Sequence, residues 1–135
     1  MKLITRNSDY ATGALIYLAQ AEGRIVCADE LVKELRIPQA FLRRLLQALV
    51  KNNILGSYKG KGGGFVLKLP PEKIGLSRIM RIFQGELKIV HCVLKKKSCP
   101  NKGRCILRAR IKKIEKGVIG QLDAITLAAL IGGKN

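Results

Sequence analysis

The chain has 135 residues, the length of about one domain, and its 47% apolar and 26% charged residues are typical of a folded globular protein rather than a disordered tail. The 26 Lys and Arg residues against 9 Asp and Glu give a formal net charge of +17, which suggests a polyanionic partner. Aromatic residues make up only 4% and Trp is absent, which argues against a single-strand-binding surface built on base stacking.

The sequence has no signal for a membrane. No apolar run approaches the roughly 18 residues of a spanning helix. The start, residues 1–9, lacks the apolar stretch and cleavage site of a signal peptide. We therefore expect a cytoplasmic protein that makes no membrane contact.

The positive charge is concentrated in the middle of the chain. Residues 1–40 carry 5 basic and 5 acidic groups, and residues 118–135 carry one of each. Residues 41–91 carry 10 basic and 2 acidic groups, and residues 92–117 carry 10 and 1. A single charged run usually means a solvated face, but two adjoining blocks favour a binding surface.

Three helical patterns occupy the first half of the chain. Ser8 or Asp9 can cap a first helix that ends near Gly23. Ala28–Leu35 is predicted to form a second helix of two turns, and a third runs from about residue 39 to 52. Two short helices joined by a tight turn, the second with a polar and basic outer face, are typical of a helix-turn-helix.

The outer face of the third helix carries the residues that we expect to meet base edges in a major groove. Arg suits this role because its guanidinium makes bidentate contacts with guanine. The expected set is Gln39, Ala40, Arg43 and Arg44.

A β-hairpin is predicted directly after these helices. Residues 54–58 and 65–69 alternate like strands, and the tip between them is rich in Gly and Lys. No Gly-Lys-Ser/Thr sequence is present, so the tip is not a phosphate-binding P-loop. The alternatives are an ordinary Gly-rich hairpin and a DNA-binding wing, and the preceding helix-turn-helix favours the wing. Its expected phosphate or minor-groove contacts are Lys59, Lys61, Gly62 and Gly63.

A long helix is predicted from Ile106 to about Leu130. A symmetric dimer through this helix is the simplest cover for its apolar stripe, and the alternative is packing against the N-terminal domain. The stripe steps by four and three residues, nearly a heptad repeat, through Leu107, Ile111, Ile114, Val118, Leu122, Ile125 and Ala129.

Three of the four cysteines, Cys92, Cys99 and Cys105, lie within 14 residues, whereas Cys27 stands alone. Clustered cysteines in a cytoplasmic chain more often bind metal or undergo redox chemistry than form disulfides. Thiolates are the preferred ligands of iron–sulfur clusters, although zinc or a metal-free thiol switch would use the same residues. Cys27 is expected to be a small buried side chain.

These features together resemble the bacterial iron-sulfur-sensing transcriptional regulators of the IscR and NsrR type, which are winged helix-turn-helix dimers. The resemblance covers nearly the whole chain. It rests on Met1-Lys2-Leu3 with Asp9-Tyr10-Ala11, on residues 39–46 and 59–65, on the cysteine trio, and on residues 122–127.

The resemblance implies a mainly α fold with a small β-hairpin wing. A winged helix-turn-helix DNA-binding domain would span residues 1–70 and a linker helix residues 71–91. A cluster-binding loop would span residues 92–105, and a dimerisation helix with its tail residues 106–135.

By the same resemblance, the three clustered cysteines hold a 2Fe-2S or a 4Fe-4S cluster. In IscR-type members a His three residues after the last cysteine completes a two-iron cluster, but Arg108 stands there and does not ligate. In NsrR-type members an acidic residue near the start of the partner chain binds a four-iron cluster, and the matching position is Asp9. His91, the one histidine, is the other candidate, so the cluster type and fourth ligand stay open.

The expected function is that of a homodimeric transcriptional regulator, such as a repressor, whose binding to a double-stranded operator depends on the cluster and so on iron or redox state. Loss of the cluster would free the start of the dimer helix and shift the two recognition helices relative to each other. The alternatives are a cluster-free thiol or zinc regulator, and an architectural protein that binds DNA by charge alone. No enzyme is expected, because one histidine and few acids leave no catalytic arrangement.

Overall fold

The computed structural model of the chain describes residues 2–89 and 104–132. Within these residues, six α-helices and one two-stranded antiparallel hairpin confirm the predicted mainly α fold with a small β wing. None of the helices in the described ranges is long and apolar enough to cross a membrane. In chain order the elements are α1 Arg6–Gln20, α2 Ala28–Leu35, α3 Gln39–Lys51, β1 Leu55–Tyr58, β2 Gly64–Leu67, a 3-10 turn Pro71–Lys73, α4 Leu76–Gln84, α5 Ile106–Ala124 and α6 Leu127–Ile131.

Helix α1 is the centre of the core and contacts α2, α3, α4, α6 and β2. Its N-cap is Thr5, whose Oγ1 accepts a hydrogen bond from the Ser8 backbone N–H at 3.4 Å. The predicted cap at Ser8 or Asp9 is therefore wrong, because the helix begins at Arg6 and both residues lie within its first turn. The buried face of the helix is formed by Ala11, Ala14, Leu15 and Leu18.

Helix α3 packs on this core through the stripe that the sequence predicted. Leu42, Leu45, Leu46 and Leu49 are buried, and Phe41 and Val50 are partly buried beside them. Burying a leucine stabilises a fold by about 1.5–3 kcal/mol, so this stripe fixes which face of α3 remains in solvent.

The predicted helix from residue 106 to 130 is broken in two at Ile125 and Thr126. Thr126 pairs with Gly75 in an antiparallel bridge, in which the Leu76 N–H donates to the Ile125 carbonyl and the Leu127 N–H to the Ile74 carbonyl, each at 2.8 Å. Because the Ile125 carbonyl and the Leu127 N–H are used in this bridge, they do not form the hydrogen bonds of a continuous helix. Thr126 instead caps α6.

After this break the chain returns to the N-terminal domain. Helix α6 packs against α1, and Leu127 is fully buried in the same core. The C-terminal segment therefore takes the alternative of packing back on the N-terminal domain, while α5 contacts α4 and leaves an apolar face exposed.

A polar cluster joins α1 to the start of α2. The Tyr17 hydroxyl donates to Glu30 at 2.7 Å, and the Arg24 guanidinium donates to both Glu30 carboxylate oxygens at 3.0 and 2.8 Å. The hydrogen bonds from Arg24 and then Tyr17 lower the pKa of Glu30 to about 2. The hydrogen bond to Glu30 in turn raises the pKa of Tyr17.

We expect this cluster to make stability fall in acid. The folded-state pKa of Glu30 lies below its ordinary value, so the stabilisation is complete above about pH 5 and is lost as the pH falls toward about 2. Glu30→Gln removes this dependence. The difference in free energy of unfolding between wild type and Glu30→Gln, measured by urea denaturation, should therefore shrink across this range. A difference that stays constant with pH would contradict the assignment.

Candidate nucleic-acid interface and cysteine segment

Helices α2 and α3 form the predicted helix-turn-helix. The turn between them consists of Arg36, Ile37 and Pro38, of which Ile37 is buried. The Gln39 side-chain amide donates to the Asp29 carboxylate at 3.2 Å, which ties the start of α3 to the start of α2. The two helices are therefore held together at both the turn and their N-terminal ends.

The residues predicted to meet base edges, Gln39, Ala40, Arg43 and Arg44, are all exposed on one side of α3. The Arg44 guanidinium lies 5.9 Å from the centroid of the Phe41 ring, within the range of a cation–π contact. Phe41 in turn makes an edge-to-face contact with Tyr10 of α1, with ring centroids 5.7 Å apart. The Arg44 side chain is thus oriented by packing.

Strands β1 and β2 pair from Leu55 with Leu67 to Tyr58 with Gly64, and their tip carries the predicted wing residues. Lys59, Lys61 and Gly62 are exposed. Gly63 differs, because its N–H donates to the Gly60 carbonyl at 3.0 Å and a Cβ there would overlap the Tyr58 carbonyl oxygen. Gly63 therefore builds the tip, and its backbone donor is already used.

The wing is attached to the helical core by a contact that the sequence analysis missed. Val26 and Phe65 exchange two backbone hydrogen bonds, at 2.9 and 2.8 Å, so the segment before α2 forms a one-residue antiparallel bridge with β2. A Cβ on Gly64 would overlap the Val26 carbonyl oxygen, which requires glycine at the start of β2. The only sequence signal for this pairing was the short apolar pair Ile25-Val26.

The exposed cations of α3 and of the wing tip are not paired with acidic groups of the described residues. In residues 2–89 and 104–132 the ion pairs are Arg24 with Glu30, Arg81 with Asp123, and Lys88 with Glu86. None of them involves a cation of α3 or of the wing tip. This arrangement favours binding of a polyanion, because the negative charges of the partner neutralise these cations.

Of the predicted metal ligands, Cys92, Cys99 and His91 lie outside the described residues. Cys105 is half-buried at the N-cap of α5, and its Sγ accepts a hydrogen bond from the Arg108 backbone N–H at 3.4 Å. A helix N-terminus favours negative charge, and cluster-bound thiolates accept such hydrogen bonds, so Cys105 suits a thiolate ligand.

The ligand set extends beyond the part of the chain that the structure describes. Within that part, no three His, Cys, Asp or Glu side chains gather as a metal site would require. Asp9, the proposed ligand to a partner's cluster, is exposed in the first turn of α1.

Cys27 is exposed, so the prediction that it is a buried side chain is wrong. It follows Val26 in an extended segment, where successive side chains point to opposite sides. Val26 is fully buried, and its neighbour Ile25 is 39% exposed. The alternation therefore turns Cys27 toward solvent.

Helix α5 leaves part of its predicted stripe uncovered. Leu107 and Ile114 are 68% and 60% exposed. The C-terminal end of the helix is covered instead, since Leu122 is buried and Asp123 accepts a hydrogen bond from Ser77 of α4. The exposed apolar residues therefore lie on the half of α5 that follows the cysteine segment.

The chain is similar to known regulators over almost its whole length. A family profile described as "Rrf2: Iron-dependent Transcriptional regulator" matches residues 4–133. A protein of Aquifex aeolicus that is named an HTH-type transcriptional regulator is 31% identical, covering 90% of this chain and 86% of that protein. The IscR regulator of Serratia proteamaculans is 25% identical over 98% of this chain and 80% of its own length.

Solved structures show the same fold. T. potens IscR has a TM-score of 0.75 at 25% identity and covers 98% of this chain and 87% of its own. CymR of B. subtilis, described as the global cysteine regulator, has a TM-score of 0.82 at 23% identity and covers both chains fully. The relatives are DNA-binding transcriptional regulators and not enzymes, as the sequence predicted. The chain belongs to the Rrf2 family of transcriptional regulators.

Proposed function

We propose that the chain is a homodimeric, sequence-specific regulator whose operator binding is controlled by an iron–sulfur cluster on Cys92, Cys99 and Cys105. The observation that carries this proposal is the position of Cys105. It is the last cysteine of the cluster-binding segment and also the N-cap of α5, the proposed dimer helix. One residue therefore belongs to both the ligand set and the helix that would join the subunits.

The chemistry around Cys105 supports this role. When bound, the cluster supplies an iron-dependent, redox-active and negatively charged centre. Cys105 would hold it together with Cys92 and Cys99, while the Arg108 N–H donates to the Cys105 sulfur. Arg104 and Arg108 add positive charge beside this position, which offsets the charge of a thiolate-ligated centre.

The fourth ligand is proposed to be Asp9 of the partner subunit or His91. Arg108 occupies the position of the IscR-type histidine, and its guanidinium is not a metal ligand. The Asp9 carboxylate is exposed and accepts no hydrogen bond from any described residue, which supports its being accessible to a second copy.

We assign DNA reading to α3 and phosphate contact to the wing. The residues that would face base edges in the major groove are Gln39, Ala40, Arg43 and Arg44. Arg43 is exposed and makes no hydrogen bond or ion pair in the described ranges, so its guanidinium is available to DNA. Lys59, Lys61 and Gly62 would lie along the phosphate backbone, which raises affinity without reading much sequence.

Near its C-terminal end, helix α5 is joined to the linker helix α4 and its N-cap at two points. Asp123 accepts a hydrogen bond from Ser77 and pairs with Arg81 at 3.7 Å. The bridge between Thr126 and Gly75 is the second point. We propose that these contacts transmit a change at Cys105 along α5 to α4 and so to the spacing of the two α3 helices in the dimer.

The test is operator binding by anaerobically purified protein and by the same protein after iron chelation, at one salt concentration. We expect the two affinities, or the preference for the operator over an unrelated duplex, to differ by about tenfold or more. Equal affinity and equal preference in the two samples would contradict the proposal that the cluster controls operator binding. Iron, sulfide and zinc analysis of the same sample decides between a cluster, a zinc site and metal-free thiols.

A further inference from the structure

The turn between α2 and α3 contains a residue in a conformation that normally belongs to glycine. Arg36, the C-cap of α2, has φ 54° and ψ 42°, in the left-handed region. A Cβ is strained there, because it lies too close to the following carbonyl oxygen, and glycine is the usual residue at such helix ends. Glu22 and Asn53 also have a positive φ, so the conformation is tolerated, but the local backbone gives no reason for arginine rather than glycine at this position.

The folded chain does not supply that reason. The Arg36 N–H donates to the Val32 carbonyl at 2.9 Å, but glycine would make the same bond. The side chain is exposed and makes no hydrogen bond or ion pair with any residue in the described ranges. Folding alone would thus be served at least as well by glycine.

The place of Arg36 in the turn gives the missing reason. It precedes Gln39 by three residues, so the two Cα atoms are at most about 11 Å apart. The major groove that α3 would occupy is about 12 Å wide, with a phosphate backbone along each edge. With α3 in that groove, an exposed cation this close to the start of the helix is within reach of the phosphates at the groove edge, and a guanidinium fits a phosphate bidentately.

We propose that Arg36 binds a phosphate of the DNA duplex, so that the strained backbone of the turn is retained for affinity rather than for folding. This inference rests on the proposed insertion of α3 in the major groove. It adds a contact to phosphate rather than to bases, and this contact lies at the start of α3 and not in the wing.

The proposal predicts opposite effects of Arg36→Gly on stability and on DNA binding. The urea midpoint should equal or exceed that of wild type, because the strain is relieved. Binding should weaken by roughly tenfold, and the slope of log K against log salt should fall by about 0.9 for each bound subunit. The probes are a duplex of about 30 base pairs enriched by wild type from a random library, and the unselected library itself. A phosphate contact weakens both probes equally.

Three further variants make the comparison specific. Arg36→Gln removes the charge but keeps the strained backbone, so it should lose affinity without gaining stability. Glu22→Gly is the matched backbone control, because Glu22 also has a positive φ, of 51°, but lies in the turn after α1. It should not weaken binding. Arg43→Ala tests whether α3 contacts DNA at all.

The outcomes separate the two proposals. Weakened binding by Arg43→Ala with unchanged binding by Arg36→Gly overturns the Arg36 contact alone. Unchanged binding by both variants overturns the placement of α3 as well. Loss confined to the enriched duplex also overturns the phosphate assignment, since it would mean base reading. All samples are compared at equal iron content, so a failure of cluster control leaves this test intact.

Discussion

Replacing Ile114 by aspartate is expected to convert the proposed dimer into a monomer and to weaken operator binding by about a hundredfold or more. Ile114 is 60% exposed on α5 and, with Leu107, belongs to the apolar face that nothing in the described chain covers. In a symmetric dimer each interface residue is buried in both subunits, so one substitution places two carboxylates in an apolar contact. A monomer also loses the gain from binding two half-sites at once.

Light scattering at about 10 µM protein measures the first effect and operator titration the second. Lys116→Gln is the matched control, because it also lowers the charge by one but lies on the opposite side of α5, 200° around the helix from Ile114 at about 100° per residue. It should remain a dimer. An Ile114→Asp protein that also remains a dimer would show that α5 is not the subunit interface.

Replacing Cys105 by serine is expected to abolish iron binding and the visible absorption of anaerobically purified protein. Serine lacks the soft sulfur that iron–sulfur clusters require, so the ligand set loses one of its three thiolates. The same substitution preserves α5, because serine is a good N-cap and can accept the hydrogen bond that Sγ accepts from the Arg108 N–H. Loss of iron would therefore not be explained by unfolding of the helix.

Cys27→Ser is the matched control for this experiment. Cys27 is exposed beside the wing strand, at the N-cap of α2, and has no place in the proposed ligand set. It should keep the full iron and sulfide content. Equal loss of iron from both variants, or full retention by Cys105→Ser, would contradict the assignment, and circular dichroism confirms that each variant is folded.

Local sequence patterns predicted α2, α3 and the hairpin well. The apolar stripe of α3 and the bounds of α2 appear in the structure as predicted, because a helix that packs on one core must repeat its buried residues every three or four positions. The hairpin followed equally from the Gly and Lys tip between two alternating segments. The exposure of Gln39, Ala40, Arg43 and Arg44 is a direct consequence of the buried leucines opposite them.

The errors arise where a distant segment decides the local structure. The break at Ile125 and Thr126 comes from a backbone bridge to Gly75, some 50 residues away, which helical periodicity does not report. Cys27 is exposed because Val26 pairs with Phe65 of the wing and takes the buried position. The cap at Thr5 was missed because Ser8 and Asp9 are equally good capping residues and only the packing of α1 selects among them.

The candidate site divides in the same way. Residue types and their positions in the sequence indicated a basic surface and a cysteine trio. Charge and thiol chemistry are properties of the residue types, so no tertiary structure was needed to predict them. The role of Gly63 in building the wing tip, and the left-handed backbone of Arg36, became visible only with the fold. An arginine in the sequence does not indicate a left-handed backbone conformation, because glycine is the residue that normally adopts it.

The sequence by itself determined the family, the helix-turn-helix with its wing, and the chemical character of the surface and the cysteines. Each of these depends on residue type and short-range spacing, which a linear chain carries in full. The tertiary structure alone decided where α5 ends, how the wing is fastened to the helices, and which face of α5 is left exposed after its end returns to the core. These depend on pairing between segments far apart in the chain, whose contacts form only when the core around α1 is assembled.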